Sequence, residues 1–395
     1  MNVAKTGTYF DRRKILAVGG AILLAGCKLI PGSGGTVSTG PEATPSPTPA
    51  PIETGLPADA GRHRIALLVP MSGANGAVGQ SIANATTMAL LDTNADSLRI
   101  TTYDTTGGAR AAAQRAVAEG NKLILGPLMG EDVGQVLAEA RPVNVPLITF
   151  SNDTSVAGPD VFVMGQAPEQ SIQRTVDYAR ARGSARFAAI VPEGDYGDRA
   201  AAALRASVVS AGGTVGAVET YARGNTSVVS AATRLAAKGG YDAVLIADGA
   251  RLAAQAAGVL KPRGAGAVQL LGTELWSGES EVTRTASLRG AWFSAMSDGR
   301  FKRFSDSYKT RFGTQPYRVS TLGYDAVLLT LRIAKDWKPG KSFPTAKLRD
   351  SGGFLGLDGP FRFGRNGVVE RAMEVREVRA GQVVIVDPAP AAFGN

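Results

Sequence analysis

The run Ile65-Ala66-Leu67-Leu68-Val69, closed by Pro70-Met71-Ser72-Gly73-Ala74-Asn75-Gly76, is apolar at five successive positions and then breaks into turn-forming residues. A strand with one wet face alternates apolar and polar residues, so an unbroken apolar run this short predicts a strand buried on both faces. The turn leads into a helical stretch that continues through Ala89. The same unit recurs outward from this point. Residues 98–103, 123–125 and 146–150 read as strands, with helices starting at Arg110 and Val133. A second series follows, with strands at 187–191, 215–219, 243–247 and 268–271 and helices starting at Asp198, Ser227 and Leu252. Alternation of this kind builds parallel sheets, and two series predict an α/β fold of two doubly wound lobes.

The chain has 395 residues and a formal charge of +9, from 43 Lys and Arg against 34 Asp and Glu. Lys5, Arg12, Arg13 and Lys14 against Asp11 contribute three of those charges in a segment expected to be cleaved, which leaves about +6 on the mature surface. The basic residues are scattered among acids without a basic stripe or interleaved aromatics, which argues against nucleic-acid binding.

Before the first strand the sequence changes character twice. Residues 1–26 carry a basic start, an apolar run at 15–25 and then Leu24-Ala25-Gly26-Cys27, where Cys27 is the only cysteine of the chain. The run is shorter than the roughly 18 residues a helix needs to cross a bilayer, so it reads as a signal segment. The motif resembles a bacterial lipobox, and that resemblance implies cleavage before Cys27 and acylation of its thiol and new amino group. Two or three acyl chains hold a protein stably on a membrane. Arg12-Arg13 leaves both Sec and twin-arginine export open. Residues 27–61 form the acylated start and a linker rich in Pro, Gly, Ser and Thr, including Thr44-Pro45-Ser46-Pro47-Thr48-Pro49-Ala50-Pro51. Such a composition cannot bury a core, and about thirty residues of polyproline II reach ~90 Å.

Several separated segments resemble the type 1 periplasmic-binding-protein fold in its branched-chain-amino-acid-binding branch. They are 65–73, Leu123-Ile124-Leu125-Gly126-Pro127, Val191-Pro192-Glu193-Gly194-Asp195-Tyr196-Gly197, and Gly356-Leu357-Asp358-Gly359-Pro360-Phe361-Arg362-Phe363 followed by Gly367. The resemblance covers roughly residues 62 to 387. It implies three crossovers between lobes, near Gly165, Met296 and Gly367. One lobe is then 62–165 with 297–368, the other 166–296 with 369–387, and 388–395 is a tail.

Catalytic and metal motifs fail on their own chemistry. Gly79-Gln80-Ser81-Ile82-Ala83 approaches a nucleophile elbow, but the only histidine is His63, between Arg62 and Arg64, expected to be exposed at the domain edge. Gly340-Lys341-Ser342 has Lys335 where a phosphate loop needs Gly, and Asp92-Thr93-Asn94-Ala95-Asp96 has Ser97 where a calcium loop needs Gly. No enzyme, cofactor or metal is therefore expected.

What remains is a ligand cleft at the carboxyl ends of the strands. Strand ends and loops nominate Ser72, Leu128, Met129, Ser151, Asn152, Asp153, Asp248 and Trp276. Tyr196 and Glu274 are added by the resemblance, which implies that the acid receives an ammonium group. In amino-acid-binding relatives the loop after the third strand offers hydroxyls to a carboxylate, whereas here it reads Leu128-Met129-Gly130-Glu131-Asp132. Leu125-Gly126-Pro127-Leu128 and Val145-Pro146-Leu147-Ile148 are similar to the penicillin-binding-protein activator lipoproteins. That resemblance implies stimulation of a peptidoglycan synthase by contact from an outer-membrane anchor, and Lys28 after the acylated Cys agrees with outer-membrane sorting. The better-known activators carry a helical-repeat domain, where this sequence has only the linker. The alternative is the substrate-binding component of an ABC importer for an amino acid or related small molecule.

Overall fold

A computed structural model describes residues 61–223, 227–261 and 268–393. The signal segment, Cys27 and nearly all of the linker lie outside the described residues. The first lobe opens with β1 (His63–Val69), α1 (Gly76–Asp92), β2 (Leu98–Asp104), α2 (Ala109–Ala118), β3 (Leu123–Leu125), α3 (Gly130–Ala140), β4 (Leu147–Thr149) and β5 (Val161–Val163). The five strands are all parallel, in the order β2-β1-β3-β4-β5.

Burial on both faces accounts for the apolar run of β1, whose residues 65–69 are each at most 1% exposed. Successive side chains of a strand point to opposite faces. Ile65, Leu67 and Val69 accordingly join one cluster, while Ala66 and Leu68 pack with Ala112 and Ala116 of α2 and Val133 and Val136 of α3. At about 1.5–3 kcal/mol for each fully buried aliphatic side chain, a polar residue anywhere in 65–69 would be costly.

The second lobe follows as α4 (Pro168–Ala181), β6 (Arg186–Pro192), α5 (Asp195–Ser210), β7 (Thr214–Tyr221), α6 (Ser227–Lys238), β8 (Ala243–Ile246), α7 (Ala250–Leu260), β9 (Gln269–Leu271), α8 (Ser280–Arg284) and β10 (Trp292–Ala295). The chain then returns to the first lobe with α9 (Asp298–Phe312) and α10 (Thr321–Ala334), and α10 adds Leu322, Ala326, Leu329 and Ile333 to the cluster of Ile65. A small antiparallel sheet, β11 (Phe354–Gly356), β12 (Gly359–Phe363) and β13 (Val369–Arg371), packs Phe354, Phe361, Phe363 and Val369 onto that same cluster. Finally β14 (Glu374–Arg379) and β15 (Gln382–Asp387) complete a seven-stranded sheet in the order β15-β14-β10-β9-β8-β6-β7, antiparallel only at β10–β14 and β14–β15.

The chain thus crosses between the sheets after β5, after β10 and after β13. The third crossing lies at Ala372 and Met373 rather than near Gly367. Gly367, with φ of 81°, belongs to the turn between β12 and β13 and accepts a hydrogen bond from the amide of Val163 at 2.8 Å. Residues 369–371 still pair with β12, so they belong with the first lobe's small sheet and not with the second lobe. Two arginines tie the crossings together. Arg371 donates from Nη2 to the carbonyl of Met164 at 2.7 Å, and Arg376 donates from Nη2 to the carbonyl of Met296 at 2.6 Å.

His63 departs from expectation. It is 3% exposed and stacks on Trp337 with ring centroids 4.0 Å apart, because the chain beyond α10 folds back over the start of β1. Burial holds its imidazole below the ordinary value.

Candidate functional site

A cleft of about 1220 Å³ opens at the carboxyl ends of the strands, lined by residues of both lobes. From the first lobe, β3 runs into the cis peptide Gly126-Pro127, after which Leu128 and Met129 line the cleft and α3 begins. Glu131 and Asp132 stand in the first turn of α3, where carboxylates are favourable beside unpaired amides. Burial and the neighbouring Glu131 raise the Asp132 carboxyl above its ordinary value.

The loop after β4 adds Ser151, Asn152 and Asp153 to the wall, but two of these side chains also serve the turn. Ser151 Oγ accepts from the amide of Asp153 at 3.0 Å, and Asp153 Oδ1 accepts from the amide and hydroxyl of Ser155 at 2.9 and 2.7 Å. Burial opposes ionisation of Asp153, yet the hydrogen bonds from Ser155 and the charge of Arg199 hold its carboxyl below the ordinary range.

In the second lobe, β6 ends at Pro192 and Gly194 turns the chain with φ of 96°, so that α5 starts at Asp195 and places Tyr196 in the cleft. A Cβ on Gly197 would lie 1.6 Å from the Pro192 carbonyl oxygen, and one on Gly79 of α1 would lie 1.7 Å from that of Pro70. Both lobes therefore seat their first helix directly against the end of its strand, which only glycine permits. The Tyr196 hydroxyl lies 3.1 Å from Thr273 Oγ1 and donates to Glu274 Oε1 at 3.4 Å. Burial, with the charge of Glu274, raises the phenol well above its ordinary value.

Glu274 sits in the short turn after β9 and is 9% exposed. Its Oε2 is buried without a hydrogen-bond partner among the described residues, and burial pushes its carboxyl up to about 7. A buried carboxylate oxygen left unpaired is costly, so the position is suited to a donor brought by a ligand.

Leu128, Met129, Ser151, Asn152, Asp153, Tyr196 and Glu274 are thus brought together, whereas Ser72, Asp248 and Trp276 do not line the cleft. Ser72 is held by its backbone, its amide 3.2 Å from Thr106 Oγ1. Asp248 turns into its own lobe, accepting from Arg223 Nε at 2.9 Å, from the Gly249 amide at 2.7 Å and from the Tyr221 hydroxyl. Trp276 is 1% exposed, donates to the Asp248 carbonyl at 2.9 Å and packs against Phe293. The rule that ligands meet strand ends locates a backbone and leaves the direction of the side chain open.

Much of the wall was not anticipated, and Arg199, Gln166 and Arg318 bring polar side chains to it. Arg199 of α5 pairs with Glu169 at 2.8 Å and donates across to the Asn152 carbonyl, bridging the lobes. Gln166, at the first crossing, has a buried Nε2 without a hydrogen-bond partner among the described residues, and Arg318 pairs through Nη1 with Asp358 while its Nε and Nη2 have no hydrogen-bond partner among them. The partners of Arg199 and Arg318 lie far away in sequence, and no local spacing signals them.

His63 is not among the lining residues, so the hydroxyls of the cleft have no imidazole beside them. Among the described residues no group of three or more His, Cys, Asp or Glu is placed to hold a metal ion, and no helix is long and apolar enough to cross a membrane.

Two doubly wound lobes, three crossings and a cleft between strand ends define a two-lobed binding-protein fold. Residues 63–382 match the periplasmic binding protein family, and the chain belongs to that family. In solved structures the fold recurs in the leucine-binding protein LivK of Thermotoga maritima, 21% identical over 84% of this chain and 98% of that one, with a TM-score of 0.61. It recurs in a putative branched-chain amino acid ABC transporter protein of Rhodospirillum rubrum (19% identical, 82% and 100% covered, TM-score 0.71). The C-domain of LpoA from Haemophilus influenzae, a regulator of PBP1A, shares it as well (19% identical, 82% and 99% covered, TM-score 0.65). Among curated sequences, the uncharacterized protein RP748 of Rickettsia prowazekii (strain Madrid E) is 31% identical over 134 residues, which are 33% of this chain and 36% of that protein.

Proposed function

We propose that this chain is a non-enzymatic lipoprotein, anchored through Cys27 at the periplasmic side of the outer membrane, whose two-lobed domain activates a peptidoglycan synthase by protein contact. The observation that carries this reading is the loop after β3. A receptor for free amino acids needs donors converging on a carboxylate. Here Leu128 and Met129 offer apolar side chains, and Glu131 and Asp132 follow at once in α3. These acids already occupy the favourable end of the helix and oppose a second anion there. An activator needs an outer surface with a well-packed patch, and such a surface works with the cleft empty. The likeness in fold to the LpoA C-domain is compatible with this role.

The test is a glycan polymerisation and cross-linking assay with the penicillin-binding protein of the same organism and no added amino acid. The protein should raise the rate. A second reading, import of a small amine-bearing solute, draws on Glu274, which lines the cleft and whose buried Oε2 has no hydrogen-bond partner among the described residues. Micromolar binding of leucine, isoleucine or valine by calorimetry, with no effect on any synthase of the organism, would replace the activator reading with that one.

A further inference from the structure

The positive charge of the folded domain comes almost wholly from one stretch of chain. Residues 298–350 hold 12 Lys and Arg against 5 Asp and Glu, a net +7, whereas 61–297 and 351–395 together hold 26 against 25. That stretch is α9, α10 and the segment leading to β11. Along the sequence acids interrupt it, so no basic stripe shows there, but the fold takes those acids out of play. Asp325 is wholly buried, and each of the other four is held in an ion pair. Arg303, Lys309, Lys335, Lys338 and Lys341 are left exposed, with no salt bridge among the described residues.

The helices carry most of these cations to the end of the first lobe opposite the cleft. The segment before α10 starts at the cleft, where Val319 lines the wall, and beyond α10 Trp337 stacks on His63 at the opposite, amino-terminal end of β1. Lys335, Lys338 and Lys341 surround that tryptophan in the sequence, and the Trp337 indole donates to the Lys341 carbonyl at 2.9 Å. α9 runs the same way. It starts beside the cleft residue Ser277, whose hydroxyl donates to Asp298 at 3.3 Å, and its last turn reaches Asp92, the final residue of α1, through Arg311. Next to Asp92, Leu91 is 63% exposed. His63 is also where the chain enters the domain from the linker, so the cations of 335–341 lie where the tether joins it.

We propose that this end of the first lobe is a docking face for a membrane surface of anionic phospholipid, which holds the domain with its cleft turned away from the bilayer. The choice of a membrane rests on the reading of Cys27 as a lipid anchor, and the face deepens that reading. Phosphate headgroups attract exposed lysines near the surface over about a Debye length, roughly 10 Å at 0.1 M salt. A basic patch added to acyl chains is a second hold on the same membrane. Leu91 offers an aliphatic side chain at the same end.

Amine labelling of the full chain, reconstituted on vesicles of phosphatidylcholine alone or mixed with phosphatidylglycerol and read by mass spectrometry, tests this. Lys309, Lys335, Lys338 and Lys341 should be labelled at least about threefold more slowly on the anionic vesicles, and high salt should erase the difference. Lys238, an exposed residue of the second lobe, should be labelled alike on both. The triple variant Lys335→Gln, Lys338→Gln and Lys341→Gln, at exposed positions, should lose the protection of Lys309. Equal labelling of the four lysines on the two vesicles, or full protection of Lys309 in the triple variant, would overturn the proposal. So would protection by polyglutamate in solution without protection on anionic vesicles, which would assign the face to an acidic protein. If the triple variant fails to fold by circular dichroism, the comparison of lipids and salt on the parent decides alone. Retention on neutral vesicles through a high-salt wash reads the anchor by itself. A chain washed off them refutes the anchor, and protection of its lysines on anionic vesicles would still uphold the docking face.

Discussion

Glu274 brings packing and chemistry into conflict on a single side chain. Burial favours its neutral form, while an ammonium ligand requires the charged one. Its carboxyl titrates at about 7 in the folded chain, above the ordinary 4.5, with Tyr196 as hydrogen-bond partner and Glu169 as the nearby like charge. A raised acid pKa means that the folded state holds the proton more tightly than the unfolded one. The group therefore costs nothing below pH 4.5, and its cost grows to about 3 kcal/mol above pH 7. Glu274→Gln should be more stable than the parent by roughly that amount at pH 8.5 and nearly equal to it at pH 4.5, measured by urea denaturation at each pH. A variant less stable than the parent at pH 8.5 would show that the carboxylate has a stabilising partner. His63 shows the opposite outcome for a titratable group: stacked on Trp337 and buried, it is held toward its neutral form and serves the core.

Among the elements, the crossings are where the two lobes are held to one another. Arg376 of β14 donates to the Met296 carbonyl and pairs with Asp298 at 2.5 Å and with Glu374 at 2.7 Å, both arginine and Glu374 being buried. Removing one member of a buried pair costs about 3–5 kcal/mol, because the other charge is left unpaired. Arg376→Met should lose about that much in a denaturant titration, and Arg376→Met with Glu374→Met should recover a large part of it. No recovery would place the effect in the lost Met296 contact instead. The buried strands were legible in the sequence where burial on both faces writes an unbroken apolar run, as in β1, β6 and β8. β5 and β10 were not anticipated, and their places are set by pairing, β5 with β4 and β10 with β9 and β14. The third crossing was misplaced for a related reason. Gly367 signals a turn, but only the pairing of β13 with β12 shows that the chain has not yet left the first lobe. In the cleft, Tyr196 and Glu274 followed from family resemblance, whereas Arg199 and Arg318 depend on tertiary partners that no local pattern encodes.

At the scale of the whole molecule, the expectation outside the described residues is the anchor. Cys27→Ser should accumulate as an unprocessed precursor without Cys-linked lipid, read by the mass of the chain in membrane and soluble fractions. Normal cleavage and retention on the membrane would refute the lipoprotein reading. The topology also bears on the order in which the molecule can take shape as it is made. Ile65, Leu67 and Val69 of β1 leave the ribosome early, but the α10 residues that join their cluster, Leu322, Ala326, Leu329 and Ile333, come far later. Between them, 168–295 supplies most of the second lobe as one continuous stretch, wanting only β14 and the edge strand β15. The second lobe can therefore approach its final packing first, while one face of the opening strand waits only partly covered, by Ile82 and Ala89 of α1. An amino-terminal half that cannot close on itself is well suited to a polypeptide that must be threaded across a membrane before it folds.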